Sequence, residues 1–145
     1  MKKNGGFTLV EVLLSIAAIA IISGLSMPVY QSFQVKDDLD IAVTTIAQGL
    51  RRAQALSRAS EEDSTWGLKI NSGSITLFKG TAFALRDTSF DEIFNVPTSI
   101  SSSGLGEIVF DKLSGEPQTV GTINLGSTTA ESASITINGK GMVDY

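Results

Sequence analysis

Neither cysteine nor histidine occurs in the 145 residues. The first absence removes disulfides, thiol nucleophiles and thiolate metal sites together. The second removes the commonest general base and the commonest metal ligand. Basic residues are in the minority: 11 Lys and Arg stand against 15 Asp and Glu, a net charge of −4, with an isoelectric point near 4.7. That balance speaks against a general nucleic-acid binder, whose electrostatic footprint is basic. Catalysis would have to rest on carboxylate, Lys or Ser groups, and no pair of them stands out, so no enzyme is expected. Gly139-Lys140-Gly141 lacks the upstream Gly and the following Ser or Thr of a phosphate-binding loop and reads as a turn. Asp87, Asp91 and Glu92 carry the hard oxygens that calcium takes, but at the spacing of no defined loop, and Asp111 is no stronger. They read as solvated surface carboxylates, with neither metal nor cofactor expected.

What the chain does have is one long apolar run, GFTLVEVLLSIAAIAIISGLSM, from Gly6 to Met27. The 21 residues from Phe7 to Met27 span about 31 Å as a helix at ~1.5 Å per residue, close to the ~30 Å of a bilayer hydrocarbon core. Lys2 and Lys3 precede the run, so the positive-inside bias puts the N-terminus in the cytoplasm and everything after Pro28 outside. A cleaved secretory signal begins in the same way, but its apolar region is shorter and ends at a small-x-small site; Ser23-Gly24-Leu25-Ser26 is only an approximate match. Glu11 is the anomaly. An ionised acid at the middle of a membrane helix is disfavoured by roughly 2.5–3.5 kcal/mol, so it needs a partner.

Beyond Pro28 the pattern becomes amphipathic. Val35, Leu39, Ala42, Val43, Ile46, Leu50 and Ala53 recur at three- and four-residue steps, a helix with one buried stripe that reaches about Ser60. Asp37, Asp38 and Asp40 lie on or beside its wet side, and Arg51, Arg52 and Arg58 gather towards its end, where cations complement the macrodipole. An anion site made by those arginines is an alternative to a simply solvated helix end. Short β-branched and aromatic runs follow at Trp66–Ile70, Ser74–Phe78, Glu107–Phe110, Thr119–Leu125 and Ser134–Ile137. Asn71-Ser72-Gly73 and Asn138-Gly139-Lys140-Gly141 are hairpin turns, because Asn and Gly tolerate positive φ. The Ser- and Gly-rich stretch from Thr98 to Gly106 is either a mobile connection or a bulged edge. The expected fold class is α+β: a long N-terminal helix, half membrane-spanning and half amphipathic, packed on an antiparallel head of one sheet or two.

The residues Lys2-Lys3-Asn4-Gly5-Gly6-Phe7-Thr8-Leu9-Val10-Glu11 resemble the class III leader and mature start of type IV pilins and type II secretion pseudopilins. A short basic leader, Gly before the cut, Phe after it and Glu as the fifth mature residue carry the likeness. It implies cleavage between Gly6 and Phe7 by a prepilin peptidase that also methylates the new amine of Phe7. It divides the chain into a leader, 1–6, a transmembrane and assembly helix, 7–27, the amphipathic half of that helix, 28–63, and a pilin-like β head, 64–145. It also gives Glu11 a partner: the amine of Phe7 in a neighbouring subunit, with the contact to its own amine as the alternative. Pairing two costly charges in a low-dielectric bundle offsets what neither meets alone, and fixes register much as a buried polar residue does in a coiled coil.

Gly24 and Pro28 mark a weak point. Pro28 has no amide hydrogen for the Gly24 carbonyl, and Gly itself has low helix propensity, so a bend or local melting is expected there. The C-terminal pattern is similar to that of GspH/FimT-type minor pseudopilins: Ile108 to Asp111, Gly115, Gly121 to Leu125, Ile135 to Gly139, and on to Val143. Many major pilins staple a C-terminal loop with a Cys pair; here sheet pairing, a metal or neighbouring subunits would have to do it. The implied partners are the peptidase and methylase, other pilin or pseudopilin subunits, an inner-membrane assembly platform and the membrane itself. The implied location is the inner membrane, then an extracytoplasmic pilus or pseudopilus. Two alternatives remain, a filament-displayed adhesin or DNA-uptake module, and a membrane-anchored β domain that does not assemble. Losing Lys2 and Lys3 with the leader takes the 11 basic side chains to 9 against 15 acidic ones, a balance of −6 that disfavours DNA.

Overall fold

The computed structural model describes residues 6–127 and 130–145, with the backbone alone for 25–29, 31 and 32. The chain forms two compact units, Met1–Gln34 and Val35–Tyr145. One helix, α1, runs Leu9–Arg58 and contributes to both.

In the first unit α1 is apolar on every side and covered on none. Phe7 is 80% exposed, Leu9 76% and Ile22 68%. Helical backbone continues through Gly24 and Pro28. Among the described residues no helix is long and apolar enough to cross a membrane, which departs from the spanning helix expected over 7–27. α1 starts at Leu9 rather than Phe7.

The second unit shows how the same helix behaves when the sequence supplies a cover. Leu39, Ala42, Val43, Ile46, Leu50 and Ala53 are buried as the three- and four-residue steps require, with Ala47 added to the stripe and Val35 only half-buried. Eight strands follow: β1 Trp66–Asn71, β2 Ser74–Lys79, β3 Asp87–Asn95, β4 Ile100–Gly104, β5 Glu107–Phe110, β6 Gly121–Ser127, β7 Ser132–Ile137 and β8 Val143–Asp144. They make two antiparallel sheets, in the orders β3-β2-β1-β5 and β4-β6-β7-β8. Leu68, Ile75, Leu77, Ile108 and Phe110 of the first sheet and Ile123, Leu125, Ile135 and Ile137 of the second join the helical stripe in one core. At Gly49 an added Cβ would lie 3.0 Å from both Ile75 Cδ1 and Leu68 Cδ1, so the glycine is where sheet side chains reach the helix.

Both expected turns close hairpins. Asn71 pairs with Ser74 across Gly73, whose φ of 78° suits glycine. Between β7 and β8 the Asn138 side chain accepts the amides of Lys140 and Met142, both at 3.0 Å. Differences from expectation concern ends and edges. The helix stops at Arg58, and Ser60, Glu62 and Asp63 take positive φ to turn the chain. β6 and β7 are shifted or lengthened by about two residues. The Thr98–Gly106 stretch contains an edge strand, β4, rather than a mobile connection. β3 and β8 were not expected at all.

Candidate functional site

The residues expected to be processed, Gly6 and Phe7, and the acid of the apolar run, Glu11, lie together at the start of α1. Gly6 and Phe7 are exposed and outside regular structure, just before the helix begins. Thr8 then ends the disorder of direction: its Oγ1 accepts the Glu11 amide at 3.3 Å, and its carbonyl accepts the Val12 amide at 3.2 Å. Thr8-Leu9-Val10-Glu11 is thus the first half of a capping box, the hydroxyl of the cap satisfying one of the four orphan amides of the helix start. The sequence carries that signal, a Thr three residues before a Glu ahead of an apolar run. Glu11 is exposed in the first turn. An acid there is favoured by the helix macrodipole, and its carboxylate has no hydrogen bond or ion pair among the described residues. Its carbonyl accepts the Ser15 hydroxyl at 2.7 Å. Lys2, Lys3 and the rest of 1–5 lie outside the described residues.

The model of the prokaryotic N-terminal methylation motif matches residues 1–27, the stretch that contains all of these groups. Two curated fimbrial proteins from Pseudomonas aeruginosa are each 29% identical over 142 residues, covering 97% of this chain and 82% of the relative. The chain is thus similar to fimbrial proteins along nearly its whole length and carries their kind of N-terminal motif. A solved structure agrees on the fold. The minor pseudopilin EpsH from the type 2 secretion system of Vibrio cholerae matches with a TM-score of 0.56 at 16% identity, over 74% of this chain and 94% of its own.

In the second unit the connections between strands are tied down by the last turns of α1. Gln54 Nε2 donates to the carbonyls of Gly115 at 2.9 Å and Lys140 at 3.1 Å, tying the β5–β6 and β7–β8 connections to the helix. Gly141 sits against it with φ 74°, and a Cβ there would fall 2.1 Å from Gln54 Nε2. One turn on, the buried Ser57 hydroxyl donates to the Phe110 carbonyl at 3.1 Å and accepts the Trp66 amide at 2.9 Å, joining α1 to β5 and β1. Arg58 Nε donates to the Ser114 carbonyl at 3.2 Å. None of these roles is readable locally, since each partner lies far along the chain or takes part through its backbone.

The three arginines do not converge on an anion. Arg52 pairs with Glu92 at 2.6 Å, Arg51 lies 5.4 Å from the centre of the Tyr145 ring, and Arg58 turns to Ser114. The acids of β3 are similarly dispersed. Asp91 takes Arg86 Nε at 2.8 Å, while Asp87 accepts the Ser89 amide, which holds its carboxyl below the ordinary range. Asp111 accepts from Gln118 at 2.8 Å. Among the described residues no group of acids could hold a metal ion. Between α1 and β3 a cavity of about 280 Å³ is lined by Thr45, Gln48, Gly49, Arg52, Glu92 and Phe94. With its one ion pair satisfied and no nucleophile beside a base, it has no evident chemistry.

Proposed function

We propose that the chain is a structural subunit of a type IV pilus or type II secretion pseudopilus, and within that class a minor pseudopilin. A prepilin peptidase cuts between Gly6 and Phe7 and methylates Phe7. The apolar run over 7–27 holds the subunit in the inner membrane, N-terminus inside, until an assembly platform extracts it into the filament. The supporting observation is Glu11: a helix that is apolar on all sides carries a single acid, capped in its backbone by Thr8 yet with a side chain that no described residue engages. After cleavage the amine of Phe7 in a neighbouring subunit neutralises it, and two charges each expensive in apolar surroundings become one contact that sets the axial stagger. Glu11 and Phe7 are the assembly contact. Gly24 and Pro28 are the place where the packed helix yields under tension, because its hydrogen bonding is already one short there. The fold shared with EpsH, together with the GspH/FimT-like tail, favours a minor component over the main building block.

Mass spectrometry of the protein recovered from membranes tests the processing step. The expected mature start is Phe7 with one added methyl group. An intact Met1, or a start near Ser26, contradicts the proposal.

A further inference from the structure

Within the second unit, β3 is the outermost strand of the first sheet, and half of it is left open for pairing. The Val96 amide donates to the Gly73 carbonyl at 3.0 Å, in register with the pairs Phe94–Ile75 and Glu92–Leu77. In an antiparallel ladder bonded and non-bonded pairs alternate, so the N–H and C=O groups of Ile93 and Asn95 point away from β2. No described residue outside the ladder bonds to them. The first half of β3 carries Asp87 and Asp91 and a shift of register between Leu77 and Lys79, the devices that keep edges from pairing. The second half lacks them: Glu92 is turned to Arg52, and Ile93 is 66% exposed. The other edges offer less. β8 is two residues long, the Gln118 amide covers the Val109 carbonyl of β5 at 2.9 Å, and β4 has only serine and glycine past Ile100.

Beside that open edge lies a groove. Side chains alternate along a strand, so Glu92 and Phe94 face α1 while Ile93 and Asn95 are exposed on the other side. At ~100° per residue, Ile41, Thr45, Gln48, Gly49 and Arg52 fall within about 50° of one line down α1, the line towards β3. The cavity of about 280 Å³ between α1 and β3 shares Thr45 with a shallow depression of about 350 Å³ around Ile41. From Ile41 to Arg52 is about 16 Å along the helix, the length of about five residues of extended chain. Charge is balanced throughout. Arg52 and Glu92 neutralise each other at one end of the groove, and Asp40 at the other has Lys36 one turn away.

We infer that an extended segment of another protein docks here, adding a strand to the free edge of β3 and placing one large apolar side chain in the cavity. Main-chain bonds to Ile93 and Asn95 supply affinity and the cavity supplies selectivity, the division of labour in strand-addition sites. A volume of about 280 Å³ lies just under the ~300 Å³ at which small-molecule pockets begin, and suits a single leucine or phenylalanine side chain. That side chain is uncharged, because the ion pair at the rim is closed on itself and a charge entering beside it would be desolvated without a partner. A second copy of the chain does not fit this role: the helix-side residues of its β3, Glu92 and Phe94, are committed to its own α1 and core. The site is separate from assembly through the N-terminal helix and stands without it.

Peptides about seven residues long, blocked at both ends and alternating threonine with valine, serve as probes. They differ only at the central position, which is leucine, phenylalanine, alanine or lysine. Full-length protein in lipid nanodiscs is titrated with each while amide hydrogen exchange is followed residue by residue. In the free protein the amides of Ile93 and Asn95 should exchange fast between slow neighbours at Phe94 and Val96. The leucine or phenylalanine peptide should slow both by about tenfold or more, and bind about tenfold more tightly than the alanine and lysine peptides. Ile93→Pro removes an outward donor and no ladder bond, so it should fold and weaken binding by about tenfold or more. Gln48→Trp, at the exposed wall of the cavity, should fill it with the same loss, and decides the matter if Ile93→Pro does not fold. Equal affinity for all four peptides, or binding that leaves exchange at Ile93 and Asn95 unchanged, would overturn the proposal. So would undiminished binding by the folded variants, or no binding by any peptide. Slow exchange at those amides in the free protein, increasing with its concentration, would give the edge to a second copy and overturn it as well.

Discussion

Two stretches of one helix differ in where their apolar surface goes. From Leu39 to Ala53 every large apolar side chain on the inner face of α1 is covered by the two sheets, and the outer face is polar apart from Ile41. From Leu9 to Ile22 the helix is apolar apart from Glu11 and Ser15, and its large apolar side chains are exposed among the described residues. An apolar surface of that kind is costly in water, and in the proposed function lipid and then other subunits cover it. The lesson is that one element can be specified for two solvents, and that its polar exceptions mark the boundary conditions. In the second stretch the exception is Ser57, satisfied within the chain; in the first it is Glu11, not satisfied there.

Substitutions sharpen the contrast. The largest effect on head stability is expected from Leu50→Ala. Leu50 is fully buried between helix and sheets, so about 2–5 kcal/mol should be lost, measured by denaturant unfolding followed through Trp66. An equal truncation at Leu14, which is 66% exposed, should leave that transition where it was. Ser57→Ala comes next. It leaves the Trp66 amide and the Phe110 carbonyl without their buried partner, at a cost of about 1–3 kcal/mol.

Asp63→Asn should do least. Its hydrogen bond with Lys112 holds the Asp63 carboxyl below the usual range. A folded pKa below the unfolded one contributes stability above the unfolded value near 3.8 and loses it as pH falls through the folded value. Since Asp63 is fully exposed, solvent screens the pair. The variant should melt with the wild type at neutral pH, and any small difference should vanish in strong acid.

How far the sequence could be read follows the same division. Periodicity was enough for the buried helical stripe because one residue in three or four is a local property, and Asn71-Ser72-Gly73 was enough for the β1–β2 hairpin because positive φ is a local demand. β4 was hidden because Ile100-Ser-Ser-Ser-Gly104 has weak strand propensity and owes its conformation to pairing with β6. β3 was hidden because Asp87, Asp91 and Glu92 suggested solvent, whereas Asp91 and Glu92 sit against Arg86 and Arg52. At the N-terminus the motif that contains Gly6, Phe7 and Glu11 is legible, and the N-terminal methylation model matches the same stretch. The Thr8 cap is legible by capping rules. Gln54 and Ser57 were not legible, since what makes them important is tertiary.

Glu11→Leu tests the central claim most directly, with filament incorporation and head unfolding measured on the same protein. The account predicts a subunit cleaved before Phe7 and methylated, with an unchanged unfolding transition, that fails to enter filaments efficiently. Incorporation at wild-type level would contradict it, because the one acid of the uncovered helix would then have no partner to find.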